Sequence, residues 1–304
     1  MNKSLNNHKY SIVEYKDEFY TTYEAIEEEL QYYTEAFKNK VVYCNADNPL
    51  KSNFCRYFTN NFNELHLKKL ICTSFNFKGK GLLYEFDGDK FDIEELKGSG
   101  DFGSEECINI LKQCDICCTN PPFSLFRNLF SLLNKYNKEY LLVANMNCLT
   151  YKEIFPYVMR NECWIGSHFG NMDFKVPSIV PSRVNRFKID RSGQKWISIG
   201  SICWLTNINN TYKYPEIVLD KQYNKADYPK YDNFNAINVT KVKDIPMDYG
   251  GVIGVPITYI KYHYNSPFKI IGKANNGSKT DEYDLFKPTI KGKALFKRLL
   301  IQHI

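Results

Sequence analysis

Residues 115–127 read DICCTNPPFSLFR, and this segment indicates the fold class most clearly. DICCT (115–119) is a short apolar run typical of a buried strand, and a helix is predicted from Ser124 to about Lys135. The two prolines between them predict a rigid turn, because proline has no N–H and biases the preceding residue toward an extended backbone. A buried strand, a tight turn and a helix in this order are typical of α/β folds.

The same alternation continues on both sides of this stretch. Apolar runs predict strands at 41–44, 69–75, 82–86 and 140–145. Capping patterns predict helices over about 22–38 (Thr21-x-x-Glu24), from Ser52 to about Phe62, over about 105–113 (after Ser104) and from Thr150-x-x-Glu153. This order predicts a doubly wound, parallel α/β sheet whose ligands bind at the carboxyl ends of the strands.

The sequence pattern changes after Asn161. Strands are predicted at 163–169 and 196–206, a basic, loop-rich segment of about 170–195 lies between them, and short strands and turns follow from Asn207. We therefore expect one α/β domain over residues 1–206, whose mixed sheet ends in antiparallel strands. A smaller mixed α/β region is expected over residues 207–304.

Length, cysteine placement and the amino terminus bound the class of protein. A chain of 304 residues can bury one large core with a smaller appended domain. Its ten cysteines lie along apolar stretches such as VVYC (41–44), which predicts reduced, buried thiols and a cytoplasmic protein. No apolar core of signal-peptide length and no run of about 18 uncharged apolar residues occurs, so neither secretion nor membrane insertion is expected.

Charge is distributed unevenly along the chain. Residues 1–169 carry 19 basic and 23 acidic side chains, a net charge of −4, whereas residues 170–304 carry 21 and 11, a net charge of +10. The basic half is the candidate surface for a polyanion. Charge alone leaves open an ordinary lysine-rich surface. The candidate DNA-contacting cations are Arg183, Arg186, Lys188, Arg191 and Lys195.

The Asn120-Pro121-Pro122-Phe123 turn contains the strongest candidates for chemistry. An exocyclic amino group is a poor nucleophile, because its lone pair is delocalised into the ring. The Asn120 side-chain oxygen and the Pro121 carbonyl could accept its two hydrogens and stabilise the positive charge that develops on nitrogen during attack. Phe123 could stack on a base that has swung out of a duplex. The alternative is an ordinary strand-to-helix turn that the prolines stiffen.

Two other loops carry candidate residues. Residues 98–103 read GSGDFG, but the acidic run FDIEELK before them does not suit a dinucleotide-binding fingerprint. This loop could present Asp101 to an adenine amino group and Phe102 to its ring, or it could be a turn that caps a helix. Asn45 and Asp47 follow the first buried strand, where a carboxylate could meet ribose hydroxyls or a methionine amino group; Asx residues there are also common turn formers.

Several other functions lack their motifs. Cys114-x-x-Cys117 has no second CxxC or nearby histidine pair, and the five histidines have no metal-binding spacing, so no metal is expected. The HxE and PCxxC pair of zinc deaminases, the GxSxG elbow of hydrolases and the Walker P-loop are all absent from the sequence.

The chain resembles the EcoRI-type family of adenine-specific DNA methyltransferases. The similar segments cover most of the chain. They are DEFYT (17–21), VVYCNADNP (41–49), SNFCRYF (52–58), LKKLICTS (67–74), GSGDF (98–102), TNPPFSLFR (119–127), NMNCLTYKEIF (145–155), WLTN (204–207) and DIPMDYGGVIGVPIT (244–258).

The resemblance implies a Rossmann-like class I methyltransferase sheet, S-adenosylmethionine as methyl donor and double-stranded DNA as substrate. It implies that residues 1–206 are the catalytic domain, with 170–195 as a basic insertion, and that 207–304 recognise the DNA target. The implied catalytic residues are Asn120, Pro121, Pro122 and Phe123. The implied donor-binding residues are Phe19, Tyr20, Thr21, Asn45, Asp47, Asp101 and Phe102. In one departure, the loop after the first strand reads CNADNP in place of the usual glycine-rich signature.

These observations predict a site-specific DNA adenine N6-methyltransferase. It would be the modification enzyme of a restriction–modification system, with a cognate endonuclease acting separately, or an orphan methylase. Two alternatives remain open at the level of the sequence. An NPPF turn could also hold an RNA base or a protein glutamine for methylation, and the chain could be a DNA-binding protein without activity.

Overall fold

A mixed α/β architecture is present in the computed structural model, which describes residues 20–45, 47–175 and 187–304. The α-helices in these ranges are α1 (Tyr23–Leu30), α2 (Asn53–Asn60), α3 (Glu105–Gln113), α4 (Phe126–Lys135), α5 (Phe155–Met159) and α6 (Ile260–His263). Short 3-10 helices lie at Thr34–Phe37, Met146–Thr150, Val242–Asp244 and Ile257–Tyr259.

The strands account for most of the remaining regular structure. In the first two-thirds of the chain they are β1 (Tyr20–Thr21), β2 (Val41–Cys44), β3 (Lys69–Thr73), β4 (Leu82–Phe86), β5 (Phe91–Glu95), β6 (Ile116–Thr119), β7 (Glu139–Asn145), β8 (Trp164–Lys175), β9 (Phe187–Ile189) and β10 (Lys195–Thr206). The later strands are β11 (Ala236–Asn238), β12 (Val252–Pro256), β13 (Phe268–Ala274), β14 (Asp284–Phe286), β15 (Thr289–Ile290), β16 (Lys293–Ala294) and β17 (Arg298–His303).

The largest sheet runs in the order β1-β8-β10-β7-β6-β2-β3-β4-β5, with β9 paired to β10. Its centre, β7-β6-β2-β3, is parallel, and β2 and β6 are fully buried. Buried parallel strands read as continuous apolar runs, which is why VVYC and ICCT were recognisable. Antiparallel pairs flank this centre on both sides, at β3–β4 and at β10–β7. The predicted α/β class is confirmed, with a sheet that is mixed.

Two serine caps fix where helices begin beside this sheet. Ser52 Oγ accepts the Phe54 N–H at 3.0 Å before α2, and Ser104 Oγ accepts the Cys107 N–H at 3.2 Å before α3. Both caps were predicted from the sequence and are confirmed. Helix α2 then packs its apolar face on the sheet, where Phe54 meets Trp204 edge to face at 5.8 Å between ring centroids.

The helix predicted over about 22–38 is shorter in the structure. Helix α1 ends at Leu30, and a 3-10 turn over Thr34–Phe37 follows it. The reason lies in the backbone, because the Tyr32 carbonyl accepts the Thr211 N–H at 2.9 Å and is thereby taken out of the helical ladder.

The prediction that a helix begins at Thr150 was also wrong. The Thr150 hydroxyl donates to the Asn147 carbonyl at 2.9 Å within a 3-10 turn, and α5 begins only at Phe155. Ser and Thr hydroxyls compete in this way for local backbone groups, so the capping pattern alone did not place the helix start.

The described residues divide into two compact units. The first contains the described residues up to Asn145 together with Gly166–Tyr212; the second contains Met146–Ile165 and Lys213–Ile304. In the second unit, the sheet order is β11-β12-β17-β13-β14. The predicted boundary at residue 206 lies close to Tyr212, but the sequence did not place Met146–Ile165 with the later residues.

A buried lysine ties the two segments of the second unit together. The Lys273 ammonium, on β13, donates to the Thr150 carbonyl at 2.6 Å and pairs with Asp281 at 2.6 Å. It also lies 4.7 Å from the centre of the Phe155 ring. A buried charge needs such partners, so these contacts join Met146–Ile165 to the five-stranded sheet.

Candidate active site

The carboxyl ends of β2 and β6 lie side by side in the sheet. The two strands are parallel with Tyr43 opposite Cys117, so Asn45 and Thr119 come at the same level. The Thr119 hydroxyl lies 2.5 Å from the Asn45 carbonyl oxygen, and the Cys117 thiol donates to Asn45 Oδ1 at 3.6 Å. The loop after β2 is therefore tied to the start of the turn after β6.

Asp47 extends this connection to helix α2. Its Oδ1 accepts the Ser52 hydroxyl at 2.7 Å, and its Oδ2 lies 2.5 Å from the Thr119 hydroxyl. The Asn120 N–H also donates to this carboxyl group. Burial raises the pKa of Asp47 to about 7, whereas the three hydrogen bonds act to lower it.

The Asn120-Pro121-Pro122-Phe123 turn follows β6 directly. Pro121 is buried, Asn120 and Phe123 are half-buried, and Phe123 packs against the main apolar core. The Leu125 N–H donates to the Pro122 carbonyl at 2.9 Å, so that carbonyl is used inside the turn before α4. The predicted acceptors, the Asn120 side chain and the Pro121 carbonyl, belong to the part of the turn nearest the β2 loop.

Two buried polar atoms near this edge lack a hydrogen-bond partner among the described residues. They are Asn45 Nδ2 and Thr21 Oγ1. Thr21 is held near the start of α2, because its carbonyl accepts a hydrogen bond from the side-chain amide of Asn53 at 2.8 Å. A buried donor or hydroxyl without a partner is costly, so these atoms fit a site that binds a polar ligand.

The 98–103 loop packs beside the end of the neighbouring strand β3. The Asn76 N–H donates to the Ser99 carbonyl at 2.8 Å, and Gly100 has a φ of +80°. A Cβ at Gly100 would lie 2.0 Å from the Ser74 carbonyl oxygen, so only glycine allows this close approach. The structure thus brings this loop to the edge of the sheet where the β2 and β6 loops lie.

Within that loop, Asp101 is exposed and Phe102 is half-buried. Asp101 Oδ1 accepts the Gly103 N–H at 2.8 Å, an Asx turn that leads into the Ser104 cap. This geometry is what the helix-capping interpretation predicts. A hydrogen bond from an adenine amino group to the second carboxylate oxygen of Asp101 stays a prediction.

The predicted donor-binding and DNA-contacting residues fall partly outside the described residues. Phe19, Arg183 and Arg186 lie there, while Tyr20 lies on β1, paired opposite Lys175. Lys188 and Lys195 lie on the β9–β10 hairpin, with exposed Arg191 in its turn. The Lys195 ammonium lies 5.7 Å from the centre of the Phe187 ring.

The turn of the hairpin is held by Asp190. Its carboxylate accepts the Ser192 hydroxyl at 2.6 Å and the Trp196 indole N–H at 2.8 Å. These bonds, led by Ser192, lower the pKa of Asp190 to about 2. The hairpin is therefore a defined element that presents Lys188 and Arg191 to solvent.

The structure adds two participants that sequence reasoning gave no role. They are Thr119 and Ser52, which the sequence placed only at a strand end and at a helix cap; their hydroxyls connect Asp47 to β6 and to α2. A hydroxyl at the last position of an otherwise apolar strand could have pointed to Thr119. Among the described residues, no group of three or more His, Cys, Asp or Glu side chains could hold a metal ion, and no helix is long and apolar enough to cross a membrane.

Comparison with known proteins gives consistent matches. The family model described as "Adenine-specific methyltransferase EcoRI" matches residues 8–303. The chain is 43% identical to the Type II methyltransferase M.EcoRI of Escherichia coli, over 94% of this chain and 93% of the relative. It is 38% identical to M.MgeORF184P of Mycoplasma genitalium and 37% identical to M.MpnI of Mycoplasma pneumoniae, each over 84% of this chain and 82% of the relative. No solved structure matches the chain.

Proposed function

Because the chain belongs to the family of the adenine-specific methyltransferase EcoRI, we propose that it methylates N6 of adenine at specific sites in duplex DNA. It is a DNA adenine methyltransferase of the Type II kind and the modification enzyme of a restriction–modification system. The mixed sheet supports a Rossmann-like class I methyltransferase fold, in which ligands bind at the carboxyl ends of the strands.

One observation carries this proposal. The NPPF turn is bound, through Thr119 and the Asn120 N–H, to the loop that follows the neighbouring parallel strand. A group that transfers a methyl and an amino group that receives it must lie close together and in line. Two strand-end loops held against each other supply that proximity.

The chain's own residues favour attack by a weakly nucleophilic nitrogen. We assign Asn120 and the Pro121 carbonyl as acceptors for the two adenine amino hydrogens. Their fixed dipoles stabilise the positive charge that develops on N6, and they need no reorganisation during the reaction. Phe123 is half-buried on the core, and we assign its ring as the stacking surface for the extruded base.

The residues for the methyl donor fit around the same edge. When bound, S-adenosylmethionine supplies a methyl group activated by its sulfonium sulfur. Asn45 Nδ2 and Thr21 Oγ1, which lack a partner among the described residues, are suited to its polar methionine and ribose groups, with Phe19 and Tyr20 in the adjoining segment. Asp101 and Phe102 would hold its adenine, and Asp47 completes the β2 loop. No metal is required by this chemistry.

Each unit carries cationic residues that we assign to contact with DNA. In the first unit, we assign contact with phosphates to Arg183, Arg186, Lys188, Arg191 and Lys195. In the second unit, residues 285–304 contain five Lys or Arg residues and no Asp or Glu. Lys287, Lys291 and Lys293 are exposed on or beside the β15–β16 hairpin, which supports residues 207–304 as the target-recognition region.

Labelled methyl transfer tests the proposed activity. The protein should methylate duplex DNA and leave single-stranded RNA and protein substrates unlabelled. Modified-base sequencing of genomic DNA from cells that express the protein should show N6-methyladenine at one recurring sequence. Labelling of RNA or protein without labelling of DNA would replace this substrate by one of the alternatives.

Removing one amino-group acceptor should slow the reaction itself. Asn120→Ala should lower kcat by roughly 100-fold or more, because the lost contact acts mainly in the transition state. Donor affinity, measured by calorimetry, should change little. Asn128→Ala, which removes an exposed amide from α4, is the matched control and should leave kcat unchanged. Near-normal turnover of Asn120→Ala would contradict the mechanism.

A further inference from the structure

The buried Thr119 hydroxyl lies between two oxygen atoms that would each accept its hydrogen. Its Oγ1 is 2.5 Å from the Asn45 carbonyl oxygen and 2.5 Å from Asp47 Oδ2. A hydroxyl has one hydrogen to donate. If Asp47 were ionised, only one of these contacts could be a hydrogen bond, and the other would place two buried oxygen acceptors against each other.

A proton on Asp47 gives each of these three oxygen atoms a complementary hydrogen-bond partner. Asp47 Oδ2–H then donates to Thr119 Oγ1, and the Thr119 hydroxyl donates to the Asn45 carbonyl. On the other side, Asp47 Oδ1 still accepts the Ser52 hydroxyl at 2.7 Å, and Ser52 accepts the Phe54 N–H at 3.0 Å. This directional chain runs from the loop after β2 to both the start of α2 and the end of β6.

The surroundings of Asp47 agree with a neutral carboxyl group. Burial raises its pKa to about 7. In the described part of the chain, the titratable groups that face it are the thiols of Cys44 on β2 and of Cys117 and Cys118 on β6, and burial raises the pKa of all three. These thiols are therefore neutral near pH 7 and offer no charge to hold Asp47 ionised.

We propose that Asp47 and Thr119 are positioning residues whose hydrogen bonds, with Asp47 as the proton donor to Thr119, fix Asn120 relative to the Asn45 loop. The proposal rests on the proposed function, in which Asn120 contacts the amino group and the Asn45 loop contacts the donor. Asp47 then holds the loop after β2 in place through its hydrogen bonds with Thr119 and the Asn120 N–H. Displacement of reacting groups by about 1 Å can cost 100-fold in rate, so such a fixed connection matters for turnover.

The hydroxyl is tested by Thr119→Val, which preserves the shape of the side chain, with Thr119→Ser as the matched control that retains the hydroxyl. Single-turnover methyl transfer to duplex DNA should be slowed by about 10- to 100-fold in Thr119→Val and by less than about 3-fold in Thr119→Ser. The Kd for S-adenosylmethionine alone, measured by calorimetry, should change less than the rate in Thr119→Val. Equal rates for Thr119→Val and wild type would overturn the proposal.

The proton is tested by Asp47→Asn, whose amide can donate to Thr119 and accept from Ser52 as the neutral carboxyl does. The ratio of the Asp47→Asn rate to the wild-type rate should rise as the pH increases through about 7, because only the wild type loses the proton. Asp47→Ala, which removes the whole connection, should be slow at every pH. A ratio that stays low and constant from pH 6 to 9 would show that the ionised carboxylate is the working form.

The same variant gives a readout that needs neither donor nor DNA. The folded-state pKa of Asp47, about 7, lies above its ordinary value of 3.8, so the folded protein retains the proton between these values and the unfolded chain does not. The free energy of unfolding contributed by this proton is complete below about pH 4 and is lost as the pH rises to about 7. The urea midpoint of the wild type should therefore fall relative to Asp47→Asn across this window.

These measurements separate the two proposals. A wild-type protein that transfers no methyl group to DNA would contradict the proposed function, while the urea series would still report the protonation of Asp47. An active wild type whose rate and urea midpoint run parallel to those of Asp47→Asn at all pH values would contradict the positioning proposal alone.

Discussion

At the level of single residues, mutation of Phe123 can distinguish two roles of its ring, stacking on a base and packing the core. Stacking of a base on an aromatic ring is worth about 1 to 3 kcal/mol, so Phe123→Ala should lose about 5- to 150-fold in kcat/KM. Phe123→Tyr keeps a ring face and should lose much less. The half-buried position of Phe123 against the core makes a fold effect the competing explanation.

A mismatched duplex separates these two explanations. An adenine opposite a mismatched base costs less to extrude, so the loss in Phe123→Ala should shrink on that substrate. Single-turnover rates on matched and mismatched duplexes give the comparison. Equal losses on both would mean that Phe123 supports the fold and does not hold the base.

The sequence predicts the NPPF turn but not the connection that holds it. The turn follows from local chemistry, because a buried strand and two prolines are visible in nine consecutive residues. The contact between Asp47 and Thr119 joins residues 72 positions apart, and it depends on the register of β2 against β6. That register is a property of the sheet, so the sequence alone predicted Asp47 as a donor-binding residue of the loop and gave Thr119 no role in the site.

At the scale of elements, two cationic hairpins should each contribute to DNA binding. We expect Lys188→Glu with Arg191→Glu on the β9–β10 hairpin, and Lys291→Glu with Lys293→Glu on the β15–β16 hairpin, to weaken binding to all sequences. Each lost phosphate contact should reduce the slope of log K against log salt by about 1. Fluorescence anisotropy at several salt concentrations measures this slope.

The control for these variants keeps the same change in charge. Lys112→Glu with Lys135→Glu alters exposed lysines in the last turns of α3 and α4, at the opposite edge of the sheet from the NPPF turn. Its salt slope should stay close to that of the wild type. If the control falls as far as the hairpin variants, total charge explains the effect and neither hairpin is a contact surface.

Elements were predicted well where burial or a cap determines them and poorly where it does not. Strands β2 and β6 and the caps at Ser52 and Ser104 agree with the sequence prediction. Strand β5 (FDIEE) was missed because it is exposed along its whole length and pairs only with β4 in the described sheet, so no apolar alternation marks it. Helix α1 is shorter than predicted, and the Tyr32 carbonyl, just beyond its end, accepts a hydrogen bond from the distant Thr211 N–H.

At the scale of the whole molecule, the second unit is assembled from segments that are far apart in the chain. Met146–Ile165 interrupts the first unit in sequence but belongs to the second. The sequence pattern of this segment predicts only its local structure. Its place in the second unit depends on the buried Lys273 ammonium and its bond to the Thr150 carbonyl. A boundary drawn from the change in pattern near residue 206 could therefore find the later segment and not the earlier one.

The ten buried thiols can report which unit opens, because each can be alkylated only after its surroundings unfold. Eight, Cys203 among them, lie in the first unit, and two, Cys148 and Cys163, lie in the second. A shielded thiol reacts with an alkylating reagent only after its surroundings open, so the mass of the protein records which unit opened. In partial denaturant, an intermediate with two added groups would show that the second unit opens alone, and one with eight that the first does. Passage from zero to ten groups without either mass would mean that the molecule opens as one cooperative body.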